Sequence, residues 1–363
     1  MRRNLDPAAP LSTALMSAIS ETLDTFLTDQ EALLDDVGAL PMLEVAREAT
    51  AGGKRLRPAY CYWSYVAAAG EPADDAALLA VASSLDLLHV SALVHDDLID
   101  DSDTRRGVPA AHKRFEELHE RQAGRGSRED FGRSSAILLG DLLLMWSIEL
   151  ADASGHPGLD LARPLLSVMR TEVTAGQFLD VAAQYRVAPA TSYADELTVA
   201  RRVLEYKSAR YSIRRPAQIG AALAAADAAV QDALGEFGSV IGRAFQLRDD
   251  VLGVFGDPAV TGKPYGGDIR EGKRTVLVLT ALDDANQAQA AELSDLLGRH
   301  DLTDAEVDRA AAIIDESGAR RHVESIIERS TDQALRVLEE ASLTSEGRTA
   351  LTELALRSVR RAH

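Results

Sequence analysis

Apolar residues recur at three- and four-residue steps along most of the chain, while the strict alternation of a half-buried strand is rare, so the pattern predicts helices almost throughout. Between positions 11 and 34, Leu15, Ile19, Leu23, Phe26 and Leu27 form one such stripe and predict an amphipathic helix. A second helix runs from Leu40 to Ala51, with Pro41 near its first turn, where a missing N–H costs nothing. It stops at Gly52-Gly53, and Pro58 opens the next one. From Ala77 to Val94 nearly every face is apolar and neither Gly nor Pro intervenes, as in a helix buried on all sides. Residues 134–151 and 159–186 continue the pattern, and Pro189 begins a linker to a helix over 193–208. Gly238 and Gly242 have the GxxxG spacing that lets two helices approach closely, here within a soluble core. Residues 244–253 form a further apolar helix, expected to end at Gly253 and Gly256. Helical segments with polar joints follow from Val276 onward. Residues 1–10 are expected to be a loose tail, and 116–130, charged and holding two glycines, a surface insertion.

The fold class is therefore all-α. A composition 46% hydrophobic but only 5% aromatic agrees with it and supplies a large core. With 363 residues the chain could hold more than one domain. No shift in composition forces a division, and the expectation is one domain over 1–363. A net charge of −18 argues against nucleic acid or an anionic membrane as default partner. The single cysteine, Cys61, excludes an intramolecular disulfide and a Cys-based zinc site and fits a reducing cytosol. Met1-Arg2-Arg3 is followed by Asn, Asp and Pro, not by the apolar region of a signal peptide. The best uninterrupted apolar run, Ala136 to Trp146, is cut by Asp141. The reading is a cytoplasmic protein without stable membrane insertion.

Charge becomes informative where it is local. The apolar helix over 77–94 closes on His95-Asp96-Asp97-Leu98-Ile99-Asp100-Asp101. If the helix continues, Asp96 and Asp100 lie one turn apart, about 40° from each other around the axis. A helix C-terminus already carries partial negative charge, so each acid there costs about 0.3–1 kcal/mol, and a cation is expected between them. Asp103-Thr104-Arg105-Arg106-Gly107 then reverses the charge. Upstream, Gly53-Lys54-Arg55-Leu56-Arg57-Pro58 combines a freed backbone with three cations, the makings of either an anion-binding loop or a solvated basic turn. About 150 residues after the first acids the layout recurs: Phe245-Gln246-Leu247-Arg248-Asp249-Asp250 ends a helix, and Lys263 and Gly272-Lys273-Arg274 follow. Two such helices ask for carboxylates facing each other across a cavity, bridged by hard cations. Mg²⁺ suits this, because it prefers oxygen ligands, keeps several waters and is shared between one or two carboxylates and substrate phosphates. Arg forks and the lysines would neutralise the remaining charge of a diphosphate.

In these motifs and their order the chain resembles the trans-isoprenyl diphosphate synthases, the polyprenyl synthetase family. The likeness covers Gly53 to at least Arg274 and includes Gly176-Gln177-Phe178-Leu179-Asp180 and Lys207-Ser208. It implies a helical bundle of the isoprenoid synthase type around a central cavity, a homodimer, and about three Mg²⁺ per active site. The substrates implied are isopentenyl diphosphate and an allylic diphosphate, joined head to tail. By position, Asp96, Asp100 and Asp249 would hold Mg²⁺, helped by Asp97 and Asp250. Arg105, Lys207, Lys263 and Lys273 would grip the allylic diphosphate. Lys54, Arg57, His89 and Arg106 would bind isopentenyl diphosphate, and Ser208 and Gln246 would line the reacting end. No side chain stands out as a general base, which leaves the released diphosphate to take the proton.

Product length is read in the family just before the first acids, where an aromatic residue floors the cavity of short-product members. Here those positions hold Ser91 and Ala92, both small, with Leu88 and then Leu85 deeper. The expectation is C20 geranylgeranyl diphosphate; farnesyl or longer products, or a non-catalytic regulatory subunit, are the alternatives. Two departures stand out. Gly253 occupies the place of the third aspartate of the second motif, so that Asp257 or Asp268 would reach a metal-bound water instead, and Ser208 replaces the usual threonine. A class I terpene cyclase would need an Asn/Asp…Ser…Glu metal motif and have no use for Lys54 and Arg57. A His-Asp phosphohydrolase would need metal-ligating histidines upstream of His95, where only His89 stands.

Overall fold

A computed structural model of the chain describes residues 5–105, 107–185, 192–256, 265–299 and 301–360. The all-α expectation holds. The helices are α1 (Thr13–Asp29), α2 (Glu31–Val37), α3 (Leu40–Thr50), α4 (Leu56–Ala69), α5 (Ala76–Ile99), α6 (Ala111–Arg121), α7 (Arg128–Asp152), α8 (Leu159–Gln184) and α9 (Tyr193–Val203). After α9 comes a π-helical segment, Leu204–Arg214, followed by α10 (Arg215–Leu223) and α11 (Ala228–Phe255). Further helices include Gly267–Arg270, Val276–Asp284, Asp304–Glu316 and Ala319–Glu340. Among the described residues the only strands are the dipeptides Thr104–Arg105 and Val108–Pro109, paired antiparallel. Contacts divide the chain into two compact units. One comprises Met1–Arg163, Ile219–Ala226 and Thr344–Ala350; the other comprises Pro164–Gln218, Asp227–Leu343 and Leu351–His363.

In the first unit α5 is the central helix, packed by α7, α4, α1 and α3. Leu78, Leu79, Val81, Leu85, Leu87 and Val90 are all buried, covering its faces in turn. That is why its apolar residues show no preferred side. Both α5 and α7 are long and apolar enough to cross a membrane by length and composition, but most of α5 is buried inside the protein. The single helix expected over 11–34 is two, because the chain breaks at Gln30. The tail expected to be loose is tied down in its described part. Leu5 and Pro10 are buried, and the Trp63 indole N–H donates to the Pro10 carbonyl at 2.9 Å.

The insertion expected over 116–130 is also corrected. Residues 116–121 complete α6 with Glu116 buried, α7 begins at Arg128, and only 122–127 connect them. The high charge misled here, because it belongs to the exposed sides of two helix ends. In α7 a buried side packs on α5 and α6, while Ile137, Leu138, Met145 and Ile148 stand exposed.

In the second unit α11 packs on the helix Ala319–Glu340 and on the π-helical segment. The GxxxG expectation is met: a side chain at Gly238 would strike the backbone of Arg214, and one at Gly242 the backbone of Ala209. Gly253 does not end α11 as expected. The helix continues to Phe255, Gly256 is its C-cap, and Gly253 leaves room for the Asp268 carboxylate.

Candidate active site

The three cations of the expected anion loop or basic turn, all in the first unit, differ in burial. Lys54 is exposed and Arg57 half-buried in the first turn of α4, whereas Arg55 is buried and ion-paired with Asp86 of α5. His89 lies one turn beyond Asp86 on α5 and is half-buried. Sequence reading passed over Asp86; its signal was an acid inside an otherwise apolar helix.

The acids at the end of α5 separate into two kinds. The helix reaches Ile99, and Asp100 is its C-cap, donating its N–H to the Asp96 carbonyl at 2.8 Å. Asp96 and Asp100 are half-buried, within reach of a ligand from solvent. Asp97 is only 3% exposed and accepts from Arg105 Nε at 2.7 Å and from its Nη2. Burial pushes the Asp97 carboxyl up from its ordinary range, and the Arg105 bond offsets only part of that. Asp97 therefore acts on Arg105: it holds the guanidinium beside the two outer acids. Arg106 lies outside the described residues.

Upstream on α5 the two small residues point differently. Ser91 is buried and its hydroxyl donates to the Gly140 carbonyl of α7 at 2.7 Å, while Ala92 is half-buried and shares the helix face of Asp96. Leu88, a turn deeper, is buried.

The second unit holds a cavity of about 120 Å³ that gathers much of what the sequence singled out. Asp249 and Asp250 of α11 line it with Gln246, and Lys207 and Ser208 come from the π-helical segment. Lys273 completes this set, and Asp180 and Asp268 add two further carboxylates. Asp249 is half-buried. Asp250 is 5% exposed and accepts from Gln246 Nε2 at 2.9 Å, one turn back on α11. Lys207 Nζ donates to Asp180 Oδ2 at 2.5 Å, and Lys273 pairs with Glu271 at 2.5 Å. Lys263 and Asp257 lie outside the described residues.

The π-helix was not foreseen. Runs of i→i+5 bonding are rare, usually confined to one turn, and frequent at functional sites. Eleven residues adopt it here, and a carboxylate–guanidinium network braces them. Glu172 of α8 accepts from Arg210 Nη1 at 2.6 Å and from Arg215 Nε and Nη2, both at 2.7 Å. Four residues on, Gly176 has no side chain to collide with the backbone at Lys207, so α8 and the π-helix come into close contact. Four more bring Asp180 to the lysine amine. Positions 172, 176 and 180 thus form one face of α8, and that face fixes where Lys207 and Ser208 lie.

Chemically, both units present hard oxygen donors next to lysine and arginine, a combination suited to polyanions that arrive with a divalent cation. The comparisons with known proteins agree. The model of the polyprenyl synthetase family matches residues 41–314. A geranylfarnesyl diphosphate synthase of Aeropyrum pernix is 34% identical over 296 residues, spanning 79% of this chain and 84% of that enzyme. A geranylgeranyl diphosphate synthase of Methanosarcina mazei is 31% identical over 278 residues, 76% of each chain. The crystal structure of a geranylgeranyl pyrophosphate synthase from Corynebacterium glutamicum, complexed with isoprenyl diphosphate and magnesium, is similar with a TM-score of 0.91. The identity is 36%, with 99% of this chain and 100% of that one covered. The chain belongs to the polyprenyl synthetase family. Its activity is that of a trans-prenyltransferase, an isoprenyl diphosphate synthase.

Proposed function

We propose that the chain condenses isopentenyl diphosphate with an allylic diphosphate, head to tail, to give all-trans geranylgeranyl diphosphate, C20. The observation that carries this reading is the cavity shared by Asp249, Asp250, Lys207, Ser208, Gln246 and Lys273, which joins metal-type carboxylates and phosphate-type cations in one lining.

The donor set fits Mg²⁺. Asp96, Asp100 and Asp249 are the acids left half-exposed, and all offer carboxylate oxygen. Among the described residues no three or more His, Cys, Asp or Glu form a ready metal cage. Mg²⁺ keeps several waters and takes further ligands from substrate phosphates. Bound there, about three Mg²⁺ would neutralise charge on the departing diphosphate. Arg105, Lys207 and Lys273 bind the allylic diphosphate and, with Lys263, take up negative charge as the C1–O bond ionises. Lys54, Arg57, His89 and Arg106 hold isopentenyl diphosphate so that its alkene meets the carbocation. Ser208 and Gln246 line the reacting end, and the released diphosphate takes the proton whose loss restores a double bond. Water must be kept out, because it would trap the cation as an alcohol.

Small residues at 91 and 92 favour C20, with Leu88 as the floor. A longer product is the second reading, because the relative from Aeropyrum pernix is a geranylfarnesyl diphosphate synthase. The exposed apolar side of α7 supports a homodimer. The fully buried lone Cys61 is in keeping with a reducing cytoplasm. The test is chromatography of the products formed with Mg²⁺ from isopentenyl diphosphate and dimethylallyl, geranyl or farnesyl diphosphate. A C20 product is expected, and failure to condense any of the three pairs overturns the reading.

A further inference from the structure

We propose that the buried Arg55–Asp86 ion pair is a positioning clamp that sets the geometry of Lys54, Arg57 and His89, and thereby the affinity of this site for the diphosphate of the homoallylic substrate. The inference rests on the assignment of isopentenyl diphosphate to those three residues.

Arg55 sits in a left-handed conformation, φ 48° and ψ 33°, as the N-cap of α4. That conformation is unfavourable for a residue with a Cβ and persists only where the surroundings impose it. The surroundings here are two contacts from one guanidinium. Arg55 Nη1 bonds the Asp86 carboxylate of α5, and Nη2 donates to the Thr50 carbonyl, the last residue of α3, at 2.6 Å. One side chain therefore spans the end of α3, the start of α4 and the middle of α5. The loop it closes contains Gly52 at φ 71° and Gly53 at φ 91°. Two glycines give such a loop no side chains with which to hold its own shape.

The residues fixed this way are those expected to meet the anion. Lys54 precedes Arg55, Arg57 follows it by two, and Asp86 is one helical turn from His89. Burial also decides which cations are offered. Arg55 is 4% exposed and Asp86 4% exposed, so this charge is spent inside, while Lys54 is exposed and Arg57 half-buried. A buried ion pair is no efficient way to stabilise a fold, since well-packed apolar residues of similar volume often do as well or better. What the pair supplies is direction: a forked donor fixes the path of the chain at its own Cα.

The test compares Asp86→Asn, Asp86→Glu, Lys54→Ala and the double apolar variant Arg55→Met/Asp86→Leu with the unmodified enzyme, by thermal melting and by steady-state kinetics with each substrate varied in turn. Asp86→Asn is expected to raise KM for isopentenyl diphosphate about ten- to hundredfold, the size of one charge-assisted hydrogen bond. KM for the allylic diphosphate is expected to change by less than about twofold. Asp86→Glu should recover part of the loss. The double apolar variant should melt near the unmodified enzyme and still show the raised KM, which separates position from stability. A normal KM for isopentenyl diphosphate in that double variant, while Lys54→Ala raises it, overturns the clamp alone. If Lys54→Ala leaves that KM unchanged, the substrate assignment fails and the clamp with it.

Discussion

Lys207 Nζ lies 2.5 Å from Asp180 Oδ2, and the bond joins a π-helical lysine to the α8 face that Gly176 opens to it. The lysine thus reaches the cavity already oriented. Asp180→Ala is expected to raise KM for the allylic diphosphate about three- to tenfold, the worth of a partly exposed ionic hydrogen bond. Kinetics with the allylic substrate varied would show it, and an unchanged value would mean that the pair does not position Lys207.

Asp96→Ala and Asp249→Ala are expected to reduce condensation by at least about a hundredfold, as loss of a charge-stabilising group at a reacting centre does. Both side chains are half-exposed, so the melting temperature should hold. Asp97→Ala is different. It strips Arg105 of its buried partner and should cost about 1–3 kcal/mol of stability as well as activity. Melting and turnover measured on the three variants together would separate the classes, and full activity in either of the first two would refute the metal assignment.

Substitution at the two small residues should shorten the product by different routes. Ala92→Phe fills a half-buried position on the face of Asp96 and is expected to give shorter chains with little loss of stability. Ser91→Phe must displace the Gly140 backbone that the serine hydroxyl bonds, so shorter product should come with a lower melting temperature, by about 1–3 kcal/mol of overpacking. Product chromatography decides, and unchanged length in both variants would place the floor elsewhere.

The helical fold was legible because three- and four-residue spacing survives wherever a helix has one wet side, as in α1. In α5, whose all-round burial removes the period, the unbroken apolar run without Gly or Pro carried the helix instead. The fold was least legible over 116–130, where two exposed helix ends look like a loop. The acids at 96–100 and 249–250 could be found as pairs at the ends of apolar helices. Which of them are spoken for could not be read: Asp97 and Asp250 are buried against Arg105 and Gln246, and their outer neighbours are half-exposed. That division depends on side-chain direction around a helix end. Arg55 and Asp86, 31 positions apart, show the same limit, since an ion pair between elements leaves no mark in local spacing.

Glu172 carries a pH dependence. Burial pushes its carboxyl up, but the bonds from Arg215 and Arg210 outweigh this and hold it below the usual glutamate range. A depressed value means stability that is present above the unfolded-state pKa, about 4.3, and is lost as pH falls through the folded-state value. The melting advantage of the unmodified protein over Glu172→Gln should therefore be full near pH 6 and shrink toward about pH 3. A difference that stays constant over this range would show that the carboxylate charge does not brace the π-helix.

The π-helical segment Leu204–Arg214 also changes how insertions and deletions would be felt. Each of its turns consumes one residue more than the ladders of α9 and α10 on either side. Eleven residues make about two and a half such turns, so removing about two of them leaves a chain that can relax into an ordinary α-helix over the same span, with its backbone bonds remade. The rod would survive and its phase would not: the lysine and serine would rotate off the cavity wall while Arg215 and everything after it kept their places. A deletion that barely registers in folding would then erase the site, and the unusual ladder is in effect a reading frame written in hydrogen bonds.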